Sequence, residues 1–298
     1  MRLIATTRFT KAIGMVALVI AALSLPAGAQ DFQSAAFRSD RYEYELKSAA
    51  LRERNLWLAV GLRPKGNLGG AQQYQLWQLD PQGKKRMQVD LANIAIEKQD
   101  GDACRKVYDL AITRSGDLAA LVESESGKLA LLVFSSSTNE LIVNRAVRTS
   151  RRDLFFNKLR TTADGDLLAI GRTGDEAFLL KLRPNGEIAA ETIVHDKELA
   201  IALDVVEMND TYVLAGAHLK PTGESNLWIG RVNAKGDVLF RTVFAGRLGS
   251  LVYDDDTRKL AVIYEVVGTK GWNVFVRGLD EGLATTWESQ LMTDSPTM

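Results

Sequence analysis

Residues 161–188 read TTADGDLLAIGRTGDEAFLLKLRPNGEI. Short apolar runs in this stretch alternate with turns that contain Gly, Asp, Asn and Pro. The runs are rich in Leu, Ile and Phe and show no 3.6-residue hydrophobic period, so they favour β-strands over helices. We assign a second strand to 167–172 and a third to 177–182. A first strand at 154–162 and an outer strand at 188–194 complete a four-stranded unit.

The same order of turns and apolar runs recurs along the chain. The next copy contains NDTYVLAG at 209–216 and LWIGRVNAKGDV at 227–238. The residue that marks the tight turn falls, 46 to 56 residues apart, at Gly83, Asn139, Gly186, Gly236 and Gly282. Gly and Asn most readily adopt the positive φ that such hairpin turns need. A repeat of this length with four short strands predicts the blades of a β-propeller.

The repeat predicts an all-β chain with a single β-propeller of four-stranded antiparallel blades. Five blades are expected, at about 42–97, 103–149, 152–196, 199–246 and 248–292. A ring of six blades that uses both chain ends is the alternative. Residues 30–41 form an N-terminal segment, and Phe32 to Tyr44 could add a strand that closes the ring. Residues 293–298 form a C-terminal tail.

Several turns of the repeat resemble those of known proteins. They are the Asp164-Gly165-Asp166-Leu167 turn, the hairpin at 181–188, and the turns at 233–237 and 80–83. This pattern resembles the hairpin repeats of secreted bacterial β-propellers, of the broad quinoprotein-like and seven-bladed-propeller-repeat type. The resemblance covers most of the chain after the first 40 residues. It implies an architecture and no activity, because the matching residues build turns.

The first 29 residues have the order of a secretory signal. Arg2, Arg8 and Lys11 precede an uncharged apolar stretch at 12–25, and Ala27-Gly28-Ala29 supplies small residues for a signal peptidase. An uncleaved anchor is the alternative, but the stretch is shorter than the ~20 residues of a membrane span. We therefore predict export to the periplasm or the medium, with no membrane span after cleavage.

Charge and cysteine content exclude several classes of protein. The 298 residues carry 37 Lys and Arg against 37 Asp and Glu, and removal of residues 1–29 leaves 34 against 37, a net charge of −3. A nucleic-acid binder is excluded, because it needs excess cations to displace counterions. Cys104 is the single cysteine, so an intramolecular disulfide is excluded. It could be a reactive thiol or an intermolecular bridge, but we interpret it as a small residue at the start of a strand.

No motif in the chain predicts a metal or a cofactor. His195-Asp196-Lys197-Glu198 could offer metal ligands, but its place in the repeat indicates a solvated loop. Acidic clusters at 100–102, 164–166 and 254–256 lack the alternating D-x-D-x-D-G pattern of a calcium loop. The Gly-rich loop at 65–71 lacks the Gly-Lys-Ser/Thr of a phosphate site. A quinone site is disfavoured, because such proteins stack the cofactor between aromatic or disulfide platforms and this chain has a single Cys.

Some five-bladed propellers are glycoside hydrolases, in which carboxylates from different blades act as acid and base. Residues near the starts of the first strands are the candidates here. Asp109, Asp204 and Asp254 are the catalytic candidates if the chain is an enzyme, and at least one of them should then have a raised pKa. Possible ligand-binding residues lie beside them, namely Tyr108, Asn157, Lys158 and Tyr253.

The sequence favours a non-enzymatic scaffold over a hydrolase. The repeats are clear and the loops are mostly short, which leaves little chain to build a substrate cleft. Loops from all blades of a propeller gather at one surface on a stiff support. We therefore predict an exported scaffold that binds a protein partner or a small ligand at one propeller face. A local basic patch at Arg145, Arg148, Arg151 and Arg152 could meet an anion, although a solvated loop is the simpler interpretation.

Overall fold

The computed structural model describes residues 41–293 apart from 53–54, 66–71, 99–101, 220–224, 255 and 269–270. The predicted signal sequence, the N-terminal segment before residue 41 and the tail beyond 293 lie outside the described residues. Strands dominate the described part, together with two 3₁₀ turns at Leu91–Asn93 and Ile96–Lys98. None of its helical segments is long and apolar enough to cross a membrane.

The strands form five four-stranded antiparallel sheets, each made from four consecutive strands in chain order. The prediction of an all-β, five-bladed β-propeller is confirmed, and the described residues form five sheets rather than six. Contacts between residues divide the chain into two compact units, with the boundary between Arg148 and Thr149.

Unit one contains blades one and two. Blade one is made of β1 (Tyr42–Arg52), β2 (Asn55–Pro64), β3 (Gln73–Leu79) and β4 (Lys85–Asp90). Blade two is made of β5 (Cys104–Ile112), β6 (Leu118–Ser124), β7 (Leu129–Phe134) and β8 (Leu141–Ala146).

Unit two contains blades three, four and five. Blade three is made of β9 (Leu154–Thr161), β10 (Leu167–Thr173), β11 (Glu176–Leu182) and β12 (Ile188–Ile193). Blade four is made of β13 (Ile201–Met208), β14 (Thr211–Leu219), β15 (Ser225–Val232) and β16 (Val238–Ala245). Blade five is made of β17 (Arg247–Asp254), β18 (Lys259–Gly268), β19 (Gly271–Leu279) and β20 (Thr285–Thr293).

The core lies between neighbouring sheets of the same unit. In unit one, Trp57 and Leu76 of blade one pack in one cluster with Leu118 and Leu132 of blade two. The middle strands are therefore covered on both faces, and every residue of β7 is buried. Double-sided burial explains the continuous apolar runs in the sequence, because a strand with one wet face would alternate apolar and polar residues.

The tight turns of the first four blades adopt the expected backbone. Gly83, Asn139, Gly186 and Gly236 all have positive φ, between 60° and 92°. In blade five the prediction of Gly282 is wrong by one residue, because Leu283 takes the left-handed conformation with φ 65°. The Leu283 amide donates to the Asp280 carbonyl oxygen, as the Gly236 amide donates to Asn233.

The Leu283 side chain explains why this strained backbone is tolerated. It is 3% exposed and packs in the core cluster formed by blades four and five. A non-glycine residue in the left-handed region costs roughly 1–2 kcal/mol. Burial of a leucine side chain contributes about 1.5–3 kcal/mol and offsets that cost.

A β-bulge interrupts the first strand of every blade. The residues omitted at these bulges from the ladder with the second strand are Lys47, Tyr108, Asn157, Leu203 and 248–249, and β5 has a further irregularity at Arg105. We refer to the residues that resume the ladder as the post-bulge residues, and they are Ser48, Asp109, Lys158, Asp204 and Ser250. Because a bulge redirects neighbouring side chains, it sets where these polar groups point.

Two glycines at matching turn positions should respond differently to alanine. Gly236 has φ +92°, and a Cβ there would lie 1.7 Å from the Ile193 carbonyl oxygen. At Gly282 the nearest atom to a Cβ would be 3.5 Å away, and its φ lies outside the left-handed region. We expect Gly236→Ala to lower the free energy of unfolding by more than about 2 kcal/mol. Gly282→Ala should change it by less than about 0.5 kcal/mol.

Chemical denaturation of both variants measures this difference. Equal losses of stability at the two positions would contradict the placement of Leu283, rather than Gly282, in the left-handed conformation.

Candidate functional site

Asp204 accepts hydrogen bonds from three first strands of unit two. The guanidinium of Arg160 in β9 donates two hydrogen bonds to the Asp204 carboxylate. Nε donates to Oδ1 at 3.0 Å and Nη2 donates to Oδ2 at 2.7 Å. From β17, Ser250 Oγ donates to Oδ2 at 2.9 Å and the Leu251 amide donates to the same oxygen at 2.8 Å. The Val205 amide donates to Oδ1 at 2.9 Å. The carboxylate therefore ties blades three, four and five together.

The environment of Asp204 keeps its carboxyl group ionised. Asp204 is only 2% exposed, and burial alone would raise its pKa. The positive charges of Arg160 and Lys158, together with the hydrogen bonds from Arg160 and Leu251, outweigh burial and lower the pKa below its usual value. A glycosidase acid needs the opposite shift, since it must hold a proton near neutral pH.

Asp109 makes a similar but smaller link in unit one. Its buried carboxylate accepts a hydrogen bond from the Ser48 hydroxyl, and both are post-bulge residues. Ser48 Oγ in turn accepts from the Leu110 amide at 3.1 Å. The pair connects the first strands of blades one and two, as Asp204 and Ser250 connect those of blades four and five.

Asp254 lies elsewhere than the sequence argument assumed. It is the last residue of β17, not near its start, and it is exposed. Its carboxylate caps the following turn by accepting from Thr257 Oγ1 at 2.6 Å and the Asp256 amide at 3.1 Å, and the bond from Thr257 lowers its pKa. Asp254 lies three residues after Leu251, roughly 10 Å along an extended strand. The structure thus does not place Asp254 beside Asp204.

The four predicted ligand-binding residues all have contacts within the fold. The Tyr108 hydroxyl donates to Glu123, and the Lys106 ammonium lies 4.3 Å from the centre of the Tyr108 ring. Burial and the bond to Glu123 raise the pKa of Tyr108. Asn157 and Lys158 serve the links between blades three and four, since Asn157 Nδ2 donates to the Ala202 carbonyl oxygen at 2.6 Å. Tyr253 packs against the core of blades four and five.

Sequence reasoning missed Ser48 and Ser250, which occupy the same structural position as Asp109 and Asp204. Serine is so common in turns and strands that its presence alone does not predict a link between blades. A usable signal is a glycine that lies within three second strands, at Gly61, Gly171 and Gly216. A Cβ on Gly171 would lie 1.9 Å from the Phe155 carbonyl oxygen, so this glycine accommodates the bulge. In blades three and four this glycine pairs with the residue directly before the bulge, Phe156 and Ala202 respectively.

The acidic and histidine-containing segments are occupied by ion pairs and turn contacts. Asp164 accepts from the Lys181 ammonium at 2.7 Å, and its pKa falls to about 2 because that bond and others outweigh the opposing effect of burial. Asp196 pairs with Arg241 at 2.9 Å. Across the described residues, no group of three His, Cys, Asp or Glu side chains is arranged to hold a metal ion.

Cys104 is the first residue of β5 and belongs to the core of unit one. Burial raises the pKa of its thiol to about 12. The side chain is therefore a protonated core group at neutral pH, and its environment does not favour thiolate chemistry.

Two shallow cavities lie where the outer strand of blade three meets the turn before β16. One, of about 310 Å³, is lined by residues that include Arg151, Glu191 and Lys235. The other, of about 450 Å³, is lined by residues that include Lys197 and Leu239. His195 lines both, and we refer to the two cavities together as the rim groove.

The rim groove combines positive charge with exposed apolar surface. Arg151, His195, Lys197 and Lys235 are exposed along it. Asp196 and Glu198 are paired with Arg241, Glu191 accepts from the Ser150 amide, and Asp237 accepts from the Asn233 side-chain amide. The arrangement suits a ligand that brings negative charge of its own.

Comparisons with known proteins support the architecture. No protein-family model matches the chain, and no curated protein matches its sequence. The chain is similar to the structure of an α-L-arabinofuranosidase (CtGH43) from Clostridium thermocellum, with 9% identity, 85% of this chain and 95% of that chain covered, and a TM-score of 0.50. It is also similar to the Dos1 propeller, with 13% identity, 84% and 64% covered, and a TM-score of 0.51.

The likeness is one of fold alone. Sequence identities of this size carry no residue roles, and one fold hosts many functions. The predicted resemblance to β-propeller repeat proteins is confirmed at the level of architecture. The PQQ-bound aldose sugar dehydrogenase from Streptomyces coelicolor is a further structural neighbour, with 10% identity, 83% and 80% covered, and a TM-score of 0.47.

Replacing Asp204 should destabilise the fold. Asp204→Asn keeps the shape but removes the charge and turns an amide N–H toward donors, so the half-buried Arg160 loses its charged partner. We expect the free energy of unfolding to fall by about 3–5 kcal/mol at pH 7. Asp254→Asn, in which the amide oxygen still caps the exposed turn, should change it by less than about 0.5 kcal/mol.

The stabilities of the wild type and of Asp204→Asn should depend differently on pH. The pKa of Asp204 is lower in the folded state than the unfolded value of about 3.9. Its stabilising contribution is therefore complete above roughly pH 5 and is lost as the pH falls through the folded pKa. The stability gap between wild type and Asp204→Asn, measured by urea denaturation, should be constant from about pH 8 to 5 and narrow below about pH 4. A gap that widens on acidification would contradict this role.

Proposed function

We propose that the chain is an exported β-propeller that binds a partner and catalyses no reaction. The main support for this proposal is that the Asp204 carboxylate stabilises the fold. Its carboxylate is buried, ionised and hydrogen-bonded to groups from β9, β13 and β17, so it has no proton to donate. Propellers suit a binding role, because their loops are displayed on a rigid support.

Glycan hydrolysis is the alternative that the fold leaves open. A glycosidase needs one carboxyl group with a raised pKa and a second carboxylate nearby. The pKa values of Asp204 and Asp254 are both lowered. Although the neighbour from Clostridium thermocellum is an arabinofuranosidase, the likeness to it does not extend beyond the fold. The contacts of these two acids therefore support the binding role over hydrolysis.

A panel of aryl glycosides tests the absence of catalysis. The purified chain should release no more nitrophenol than buffer from α-L-arabinofuranosides, β-galactosides or β-glucosides. Activity present in the wild type and lost in the folded Asp254→Asn or Asp109→Asn variant would contradict the proposal. Asp204→Asn is informative only with circular dichroism beside it, because loss of this carboxylate should also weaken the fold.

Export is the second part of the proposal and rests on residues 1–29. The cationic start, the apolar stretch and Ala27-Gly28-Ala29 support cleavage after Ala29. When the full chain is produced in a Gram-negative host, intact-mass analysis should find a periplasmic product that begins at Gln30. A product that keeps residues 1–29 and stays with the membrane fraction would instead support an uncleaved anchor.

A further inference from the structure

The outer strand of blade four has one unpaired edge. β16 is the last strand in the sheet order β13-β14-β15-β16, so its backbone pairs with β15 on one side only. Among the described residues, no backbone hydrogen bond from outside the sheet reaches residues 238–245. Such an edge can accept a further strand, because its outward N–H and C=O groups have no ladder partner.

β16 has few of the charged side chains that usually protect an edge strand. Leu239, Phe240 and Val243 are 46%, 51% and 36% exposed. Its single charged residue, Arg241, is engaged by Asp196 and Glu198. By contrast, the edge strand β4 begins with Lys85-Arg86 and has no exposed large apolar residue among its described positions. Charges of that kind normally discourage strand addition.

The two faces of β16 differ in what surrounds them. The ladder with β15 skips Leu239, and beyond that bulge side chains alternate, so Arg241 and Val243 share a face that Arg241 connects to the loop at 195–198. On the other face Phe244 packs edge-on against Tyr264, with ring centres 5.0 Å apart. Phe240 lies on that second face and is left exposed. An added strand would therefore find apolar contacts on both of its faces.

The charges near β16 indicate the chemistry of the added strand. Arg151, Lys197 and Lys235 line the rim groove, form no salt bridge with the described residues, and outnumber the two lining carboxylates that also form none, Glu191 and Asp237. Lys235 lies in the turn that leads into β16. Acidic residues at an end of the added strand would meet these cations.

We propose that β16 binds an extended, acidic segment of a protein partner, which pairs with its free edge as a fifth strand of blade four. This proposal rests on the binding role proposed above and names the surface and the partner chemistry. Main-chain hydrogen bonds supply the pairing, and Leu239, Phe240 and Val243 supply apolar contacts. The rim groove cations select acidic flanks. A second copy of the chain fits less well, because residues 238–245 contain no acidic residue.

Two synthetic peptides test the proposal. The probe is a fluorescein-labelled peptide of sequence EEVTVFVEE, and its matched control is KKVTVFVKK, which has the same strand-forming centre. Fluorescence anisotropy with the whole chain should show saturable binding of the acidic peptide at least tenfold tighter than that of the basic one. Equal affinities, or no saturable binding of the acidic peptide below about 1 mM, would overturn the proposal.

Variants locate the bound peptide. Phe240→Ser with Val243→Ser, and separately Arg151→Glu with Lys235→Glu, should each weaken binding at least tenfold. All four side chains are exposed, so the variants should melt within a few degrees of wild type. Ile142→Ser on the edge strand β8 and Lys259→Glu in unit two are the controls, and neither should change the affinity. Binding that survives both double variants would place the peptide elsewhere and overturn the assignment.

The outcome can be separated from that of the proposed function. A dimer in sedimentation velocity that is abolished by Val243→Lys would show that a second copy occupies β16, which overturns the partner assignment alone. Turnover of a glycoside would reject the non-enzymatic role, whether or not the acidic peptide binds. Different measurements would therefore overturn the strand-addition proposal and the proposed non-enzymatic role.

Discussion

The buried ion pair between Asp204 and Arg160 is the constraint around which unit two is organised. One carboxylate receives hydrogen bonds from first strands of three blades, and Arg160 Nη2 also donates to the Leu251 carbonyl oxygen at 2.9 Å. A buried charge is costly unless every lone pair finds a donor, and here five donors converge on two oxygens. Displacement of β9 or β13 would leave a charge without its counter-ion, and displacement of β17 would remove two donors, so the pair favours one relative placement of these strands.

The β-bulges make this arrangement possible. Each first strand skips residues before its post-bulge residue, which turns a polar side chain away from the ladder at the same place in every blade. Ser48 with Asp109 and Ser250 with Asp204 then form links between adjacent blades within their units. As a consequence, the carboxylates of Asp109 and Asp204 are engaged in hydrogen bonds that link the blades. The surfaces left for binding lie at the outer strands, where cations and apolar residues remain exposed.

Sequence periodicity predicted the blades because it reports what every blade shares, namely turns with positive φ and strands buried on both faces. Sequence periodicity failed at positions where a single contact decides the local structure. Leu283 replaces Gly282 in the left-handed position because its side chain fills a core site. Asp254 was placed too near the start of its strand, whereas β17 begins at Arg247 and ends at Asp254. The rim groove was missed because Arg151 and Lys235 come from different blades, and only the fold brings them together.

The pKa of Asp204 is the quantity that separates a structural carboxylate from a catalytic acid. Carbon-13 NMR of the side-chain carboxyl, followed from pH 7 downward in the whole chain, measures it directly. A structural carboxylate should stay ionised to below about pH 3.9, the unperturbed value, until the chain itself unfolds. A titration midpoint above about pH 5 in the folded chain would contradict the structural role and return Asp204 to the role of a proton donor.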